Sequence, residues 1–389
     1  MLAAIPNNLH AASQALFGGL ASDIRQALGA SNLSMGLLAA VFSVPVILLS
    51  PVAGMLVDRL GARRTLSSAI VGYGLSSALF AVSASLPGSL AARMAMGGCN
   101  AFLYPAFIAV ALRLVPSERK QRVIGWMQLS IGLTAILASL GATQILATDT
   151  WRVAFWTVAA LMVTIGAVLA RALAGPSPDR HGLPERAVPS LSVRQALAIP
   201  DIRRACVVAF TTGGIFVGFG GLLTLSVARI VWKIPETDWG LLHASFYLAF
   251  ALGGIGLVHV TRRFGLSRTI RAMLLVLAGS LAALVYLPMS IGTPAACVMT
   301  FGLGLGVSAV SLATTVAVRA VPVTSSGVAS SLMVAAMSFG GLVLQVGAMA
   351  TSLIPESTPL GRAQACAAVI LAIVFFAYAT ASRINDTAV

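Results

Sequence analysis

The sequence is short of charge. Only 9% of its 389 residues are Asp, Glu, Lys or Arg, and only 11 are acidic. A soluble domain carries about 25% charged residues, so composition argues against a water-soluble globular enzyme. A disordered chain is excluded as well, because disorder needs low hydrophobicity and 58% of these residues are hydrophobic. Cysteine is scarce: Cys99, Cys206, Cys297 and Cys366 lie far apart, each in an apolar stretch. No C-x-x-C or Cys/His pair has ligand spacing, so they read as small packing residues, and no metal or cofactor is expected. No H-E-x-x-H or G-x-S-x-G occurs, and an enzyme is not expected. The run Gly302-x-Gly304-x-Gly306 has no strand before it and reads as a helix-packing site rather than a dinucleotide loop.

What the chain has is apolar length. Mean hydropathy is +0.95, and a membrane-spanning helix needs about 20 apolar residues. Gly, Pro and charge clusters delimit twelve expected spans: 2–22, 33–56, 66–86, 90–114, 123–146 and 152–173, then 205–230, 239–260, 268–288, 294–318, 327–353 and 361–381. The fold class is therefore an all-α polytopic membrane protein of two six-helix bundles, 1–173 and 204–389. The linker, 174–203, is rich in proline and arginine, and Leu191 to Ile199 within it reads as a short surface helix. The first span lacks a basic n-region and a cleavage site, and is expected to stay in the mature protein.

Net charge is +14. Placing the linker inside puts nineteen of the 25 Lys and Arg on one side, whereas acids divide almost evenly. That is the positive-inside pattern, so both termini should be cytoplasmic. The excess charge then reports topology, and no nucleic-acid partner is expected. The expected setting is the cell inner membrane, with the chain as a monomer.

The halves repeat. Gly36-Leu37-Leu38-x-Ala40-x-Phe42 recurs as Gly240-Leu241-Leu242-x-Ala244-x-Phe246, and Arg59-x-Gly61-x-x-Arg64-Thr65 as Arg263-x-Gly265-x-x-Arg268-Thr269. Ala111-x-Arg113-x-Val115-Pro116 recurs as Ala317-x-Arg319-x-Val321-Pro322. Parallel halves related by an axis along the membrane normal are an arrangement used by secondary transporters, with the substrate site between them.

The segment from Gly54 to Arg64, Gly-Met-Leu-Val-Asp-Arg-Leu-Gly-Ala-Arg-Arg, resembles the loop between helices 2 and 3 of the major facilitator superfamily, G-x-L-x-D-R-x-G-x-R-[RK]. Trp151-Arg152-x-x-Phe155 and Pro116-Ser117-Glu118-Arg119 are further matches. The resemblance implies a conformational latch made by Gly54, Asp58, Arg59, Gly61, Arg63 and Arg64, with Arg113 as a partner for Asp58. The second-half copy has Arg262 in the place of Asp58. Arg93-x-x-x-Gly97 resembles the family's R-x-x-Q-G motif, with Met96 in place of Gln. Helix 5 lacks the Gly-Pro pair of the antiporter motif, which lowers the multidrug-antiporter reading.

No Asp or Glu falls in the middle of a span; a buried carboxylate is the usual proton carrier and the usual counter-charge for a cationic drug. Arg93 is the buried charge instead. Gly97, Asn100 and Tyr104 follow it on one helical face, a stripe suited to an anionic or amide-rich solute; the alternative is that Arg93 snorkels to headgroups. Asn7, His10 and Gln14 share a face of the first span and should look into a cavity. His243 and Tyr247 lie at i and i+4 in helix 8, and His243 or His10 is a candidate for proton coupling. Gln128 and Gln345 are further pocket candidates, against a role joining helices. The expected function is alternating-access transport of a small polar or anionic organic solute, proton-coupled import being favoured. The alternative is a drug or metabolite efflux transporter.

Overall fold

The computed structural model describes residues 5–113, 120–145, 151–172, 191–218, 232–235, 238–287, 292–351 and 358–384. Among them every regular element is helical. The first half contains α1 (Ile5–Gly19), α2 (Ala21–Ala27), α3 (Asn32–Leu60), α4 (Ala62–Val82), α5 (Leu86–Arg113), α6 (Lys120–Ile145) and α7 (Trp151–Ala172). The short α8 (Val193–Ala198) falls within the stretch expected as a surface helix. The second half contains α9 (Pro200–Gly218), α10 (Trp239–Phe264), α11 (Leu266–Tyr286), α12 (Thr293–Val307), α13 (Val310–Arg319), α14 (Ser326–Thr351) and α15 (Pro359–Ala381). Nine stretches among the described residues are long and apolar enough to cross a membrane. α1, α5 and α9 stand outside that number: α1 has 15 residues, and α5 and α9 each run into residues that lie outside the described ones.

Two expected spans are interrupted. The first breaks after Gly18-Gly19, where α1 gives way to α2. The tenth breaks at Ser308-Ala309, where the backbone tightens to i→i−3 hydrogen bonds, Ser308 N–H to the Leu305 carbonyl and Ala309 N–H to that of Gly306. The Ser308 hydroxyl also bonds the Leu305 carbonyl, competing with the regular ladder as a serine does within a helix. A hydropathy reading passes over both breaks because the residues around them stay apolar.

The internal repeat is visible as geometry. α3 and α4 meet at Gly61, with φ +92°, and α10 and α11 meet at Gly265, with φ +83°. Both angles lie where an L side chain is strained and glycine is not. Each turn is closed in the same way: the Thr65 hydroxyl donates to the Gly61 carbonyl at 3.1 Å, and that of Thr269 to the Gly265 carbonyl at 2.7 Å. The helix crossings match too. A Cβ on Gly97 would lie 2.1 Å from the Phe42 carbonyl oxygen, and one on Gly304 would lie 2.0 Å from that of Phe246. Glycine thus lets α5 lie on α3 and α12 on α10 with the backbones nearly touching.

Trp151-Arg152-x-x-Phe155 has a local structural role. Arg152 donates to the Ala81 and Ser83 carbonyls at 2.7 and 2.9 Å, satisfying the end of α4, as a cation at a helix C-terminus does. Trp151 and Phe155 pack edge-on against Phe80. The halves meet along two seams, α3 against α14 and α6 against α10.

Candidate functional site

Arg93 is the centre of the first half. α5 begins at Leu86, four residues before the expected start, so Arg93 lies about 10 Å along the helix at 1.5 Å per residue. Its side chain is 1% exposed, and the guanidinium does not snorkel. It lies over the rings of Phe17 and Phe42, 4.1 and 4.9 Å from their centroids. Nε donates to the Leu38 carbonyl at 3.3 Å, and one Nη donates to Gln14 Oε1 at 3.2 Å. The other, Nη1, has no partner among the described residues. α3 and α5 share one register here: Arg93 meets Leu38, and Gly97, four residues on, meets Phe42. The glycine four residues after the arginine is what lets the guanidinium reach α3.

His10 completes the cluster. Its ring stacks on Phe42 at 5.5 Å and meets Tyr73 edge-on at 5.6 Å, with Nδ1 3.1 Å from the Tyr73 hydroxyl. His10 and Gln14 are half-buried, so they form the accessible edge of a site whose charge is behind them. Leaving a buried cation without a carboxylate costs free energy. The groups around Arg93 return part of that cost through two aromatic faces and two acceptors, and one N–H is left over.

The second set of groups lies between the halves. Gln128 of α6 is buried, and its Nε2 donates to the carbonyls of Phe250 and Ser308, at 3.3 and 3.4 Å. The second of these is the carbonyl at the α12–α13 break. Close approaches run along both seams. A Cβ on Gly54 would lie 2.4 Å from Ser331 Oγ and 2.6 Å from the Gly327 carbonyl oxygen. One on Gly125 would lie 2.3 Å from the Gly254 carbonyl oxygen, and one on Gly132 would lie 2.8 Å from that of Tyr247. Phe107, Ile108, Ile124, Met127 and Val318 add an apolar plug across the halves. These contacts occupy the part of the seams from the arginine-rich end to the middle. Toward the opposite end, a Cβ on Gly141 or Gly347 would meet nothing within 4 Å.

The structure therefore brings His10, Gln14 and Arg93 into one cluster. Asn7, on the same helix, is buried, and its Nδ2 has no partner among the described residues. Tyr104 packs against a cluster that joins the two halves, made by Phe107, Ile108, Ile124, Met127 and Val318, and Asn100 is half-buried one turn before it. His243 and Tyr247 form a separate buried pair in the second half, with rings 6.3 Å apart. Gln345 is half-buried near the end of α14, its Oε1 enclosed without a partner among the described residues. Of the latch residues, Gly54 is in a seam, Gly61 forms the turn, Arg59 and Arg64 are exposed, and Arg63 is half-buried. The side chains of Asp58 and Arg113, and residues 116–119, lie outside the described residues. Tyr73, Phe17 and Phe42 were missed as site residues. The recurrence of Phe42 as Phe246 was the one available signal.

Two pseudo-symmetric helical halves, glycine seams between them and a buried polar cluster at the core are the architecture of a membrane transporter built from two bundles. The chain belongs to the Major Facilitator Superfamily, whose profile matches residues 7–345. It is 28% identical over 148 residues to a chloramphenicol resistance protein of Streptomyces lividans, which covers 38% of each chain. It is 26% identical over 134 residues to the quinolone resistance protein NorA of Staphylococcus aureus, which covers 34% of each. The matches thus span little more than a third of these curated relatives. The solved structure of the human organic anion transporter MFSD10 (TETRAN) superposes with a TM-score of 0.73 at 17% identity, covering 98% of both chains. That similarity shows the fold.

Proposed function

We propose that the protein moves neutral or anionic organic molecules across a membrane by alternating access. The observation that carries this reading is the Arg93 cluster, a cation buried in the first half with Nη1 unpartnered among the described residues and His10 and Gln14 at its accessible edge. With no acid in mid-span, an organic cation finds no counter-charge there, whereas an anion or a carbonyl-rich solute finds donors. Transport follows from rocking about the α3–α14 and α6–α10 seams. The described contacts fit a state closed at the arginine-rich end, which the positive-inside rule assigns to the cytoplasm.

Export of drug-like compounds is the direction favoured by the names of the two resistance proteins. A second reading, proton-coupled import of an anionic solute, is favoured by the missing Gly-Pro pair in α6 and by an imidazole beside the cluster. An accumulation assay separates them. Cells expressing the protein should retain less chloramphenicol or fluoroquinolone than control cells if it exports. Inside-alkaline proteoliposomes should accumulate an organic anion if it imports. Unchanged levels in both assays would sink the transport reading for these solutes.

A further inference from the structure

On the outer face of the second half, α9, α14 and α15 enclose a groove of about 640 Å³. Its lining is hydrocarbon or sulfur except for Thr211, whose hydroxyl is already bonded to the Val207 carbonyl at 2.9 Å. Phe339, Val369 and Phe376 face outward at its rim, 50–64% exposed, a level of apolar exposure that marks a lipid-facing surface in a chain of this kind. Nothing inside the groove offers a hydrogen bond, so its occupant must present a bare hydrocarbon chain.

The arginine-rich end of the same groove is charged. Arg203 lies one turn before Val207 on α9 and shares its face, since residues three and four apart are neighbours on a helix. On α15 the lining stripe Val369, Ile373 and Phe376 continues through Thr380 to Arg383, where hydrogen bonds from Ser382 and Arg383 still follow the helical pattern. Both arginines are exposed. Neighbouring Arg204 is held by Asp201 at 2.8 Å, so its charge is committed and that of Arg203 is not shared with this acid. Apolar depth below and two cations above are the two halves of a phospholipid.

We propose that this groove is a binding site for an anionic phospholipid, with one acyl chain between α9, α14 and α15 and the phosphate at Arg203 and Arg383. Because α14 also forms a seam with the first half, the bound lipid braces the bundle that the seam moves against. This inference does not depend on which solute is transported. The test uses the full chain in detergent and native mass spectrometry with phosphatidylglycerol and phosphatidylcholine of identical chains. Two arginines at a headgroup predict roughly a tenfold or larger preference for phosphatidylglycerol. An Arg203→Gln/Arg383→Gln variant should keep its melting temperature in lipid-free detergent and lose the preference. Ala372→Trp, which fills the groove from its exposed side, should lose retention of phosphatidylglycerol. Equal retention of the two lipids, a preference surviving in the double variant, or displacement by glycerol phosphate without a chain would each overturn the proposal.

Discussion

Replacing Gly54 or Gly125 by alanine should drive the protein out of the conformation closed at the arginine-rich end. The added methyl would sit 2.4 to 2.6 Å from Ser331 Oγ and the Gly327 carbonyl oxygen in the first case, and 2.3 Å from the Gly254 carbonyl oxygen in the second. Two of these three atoms are helix backbone, which has no rotamer to escape into. Overpacking of this kind costs about 1–3 kcal/mol. Alanine also favours a helix over glycine by about 1 kcal/mol, but that gain is the same in both conformations and cancels from the balance between them. Each substitution should therefore shift the balance roughly 5- to 150-fold, at about 1.4 kcal/mol per factor of ten. The readout is the distance distribution between spin labels at Arg64→Cys and Arg268→Cys, exposed positions just after the matching turns of the two halves, with the native cysteines replaced. Gly256→Ala is the control, since its Cβ meets nothing within 4 Å. The prediction is a longer distance for Gly54→Ala and Gly125→Ala and none of that lengthening for Gly256→Ala. Three distributions that superimpose on the parent would refute the idea that these glycines seal the seams.

Two further outcomes follow from the same geometry. Gly61→Ala and Gly265→Ala each force an L residue to positive φ, at a cost of order 1–3 kcal/mol; both should lower the melting temperature, and the two losses should add because the turns belong to opposite halves. A melting temperature unchanged by either would contradict the strain argument. Gln128→Leu removes both cross-half hydrogen bonds, at about 0.5–1.5 kcal/mol each, and should lengthen the same label distance as Gly125→Ala, which a parent-like distribution would rule out.

The fold was legible because it rests on composition and period. Long apolar stretches, the sparse charges between them and the paired Arg-x-Gly-x-x-Arg-Thr turns led to two helical halves, and the positive φ at both glycines is the physical reason those turns recur. The breaks at Gly18-Gly19 and Ser308-Ala309 were hidden because interruption there comes from local hydrogen bonding, which hydropathy does not register. The site was legible in part. His10, Gln14 and Arg93 stood out as polar residues on apolar faces, and the structure gathers them. Tyr73, Phe17 and Phe42 are ordinary core residues by type, and only the packing of α1, α3, α4 and α5 turns them into walls around Arg93. The seam role of Gln128 depended on which helix of the other half would face it, information that no single helix carries.

The most direct test of the account is the charge selectivity of transport and its dependence on Arg93. Purified protein in proteoliposomes should be offered matched aromatic solutes differing only in a carboxylate, an amide or an ammonium group. The account predicts transport of the carboxylate and the amide over the ammonium form, and loss of the carboxylate preference in Arg93→Gln with the amide still carried. Equal transport of the ammonium solute, or an undiminished carboxylate preference in Arg93→Gln, would contradict it.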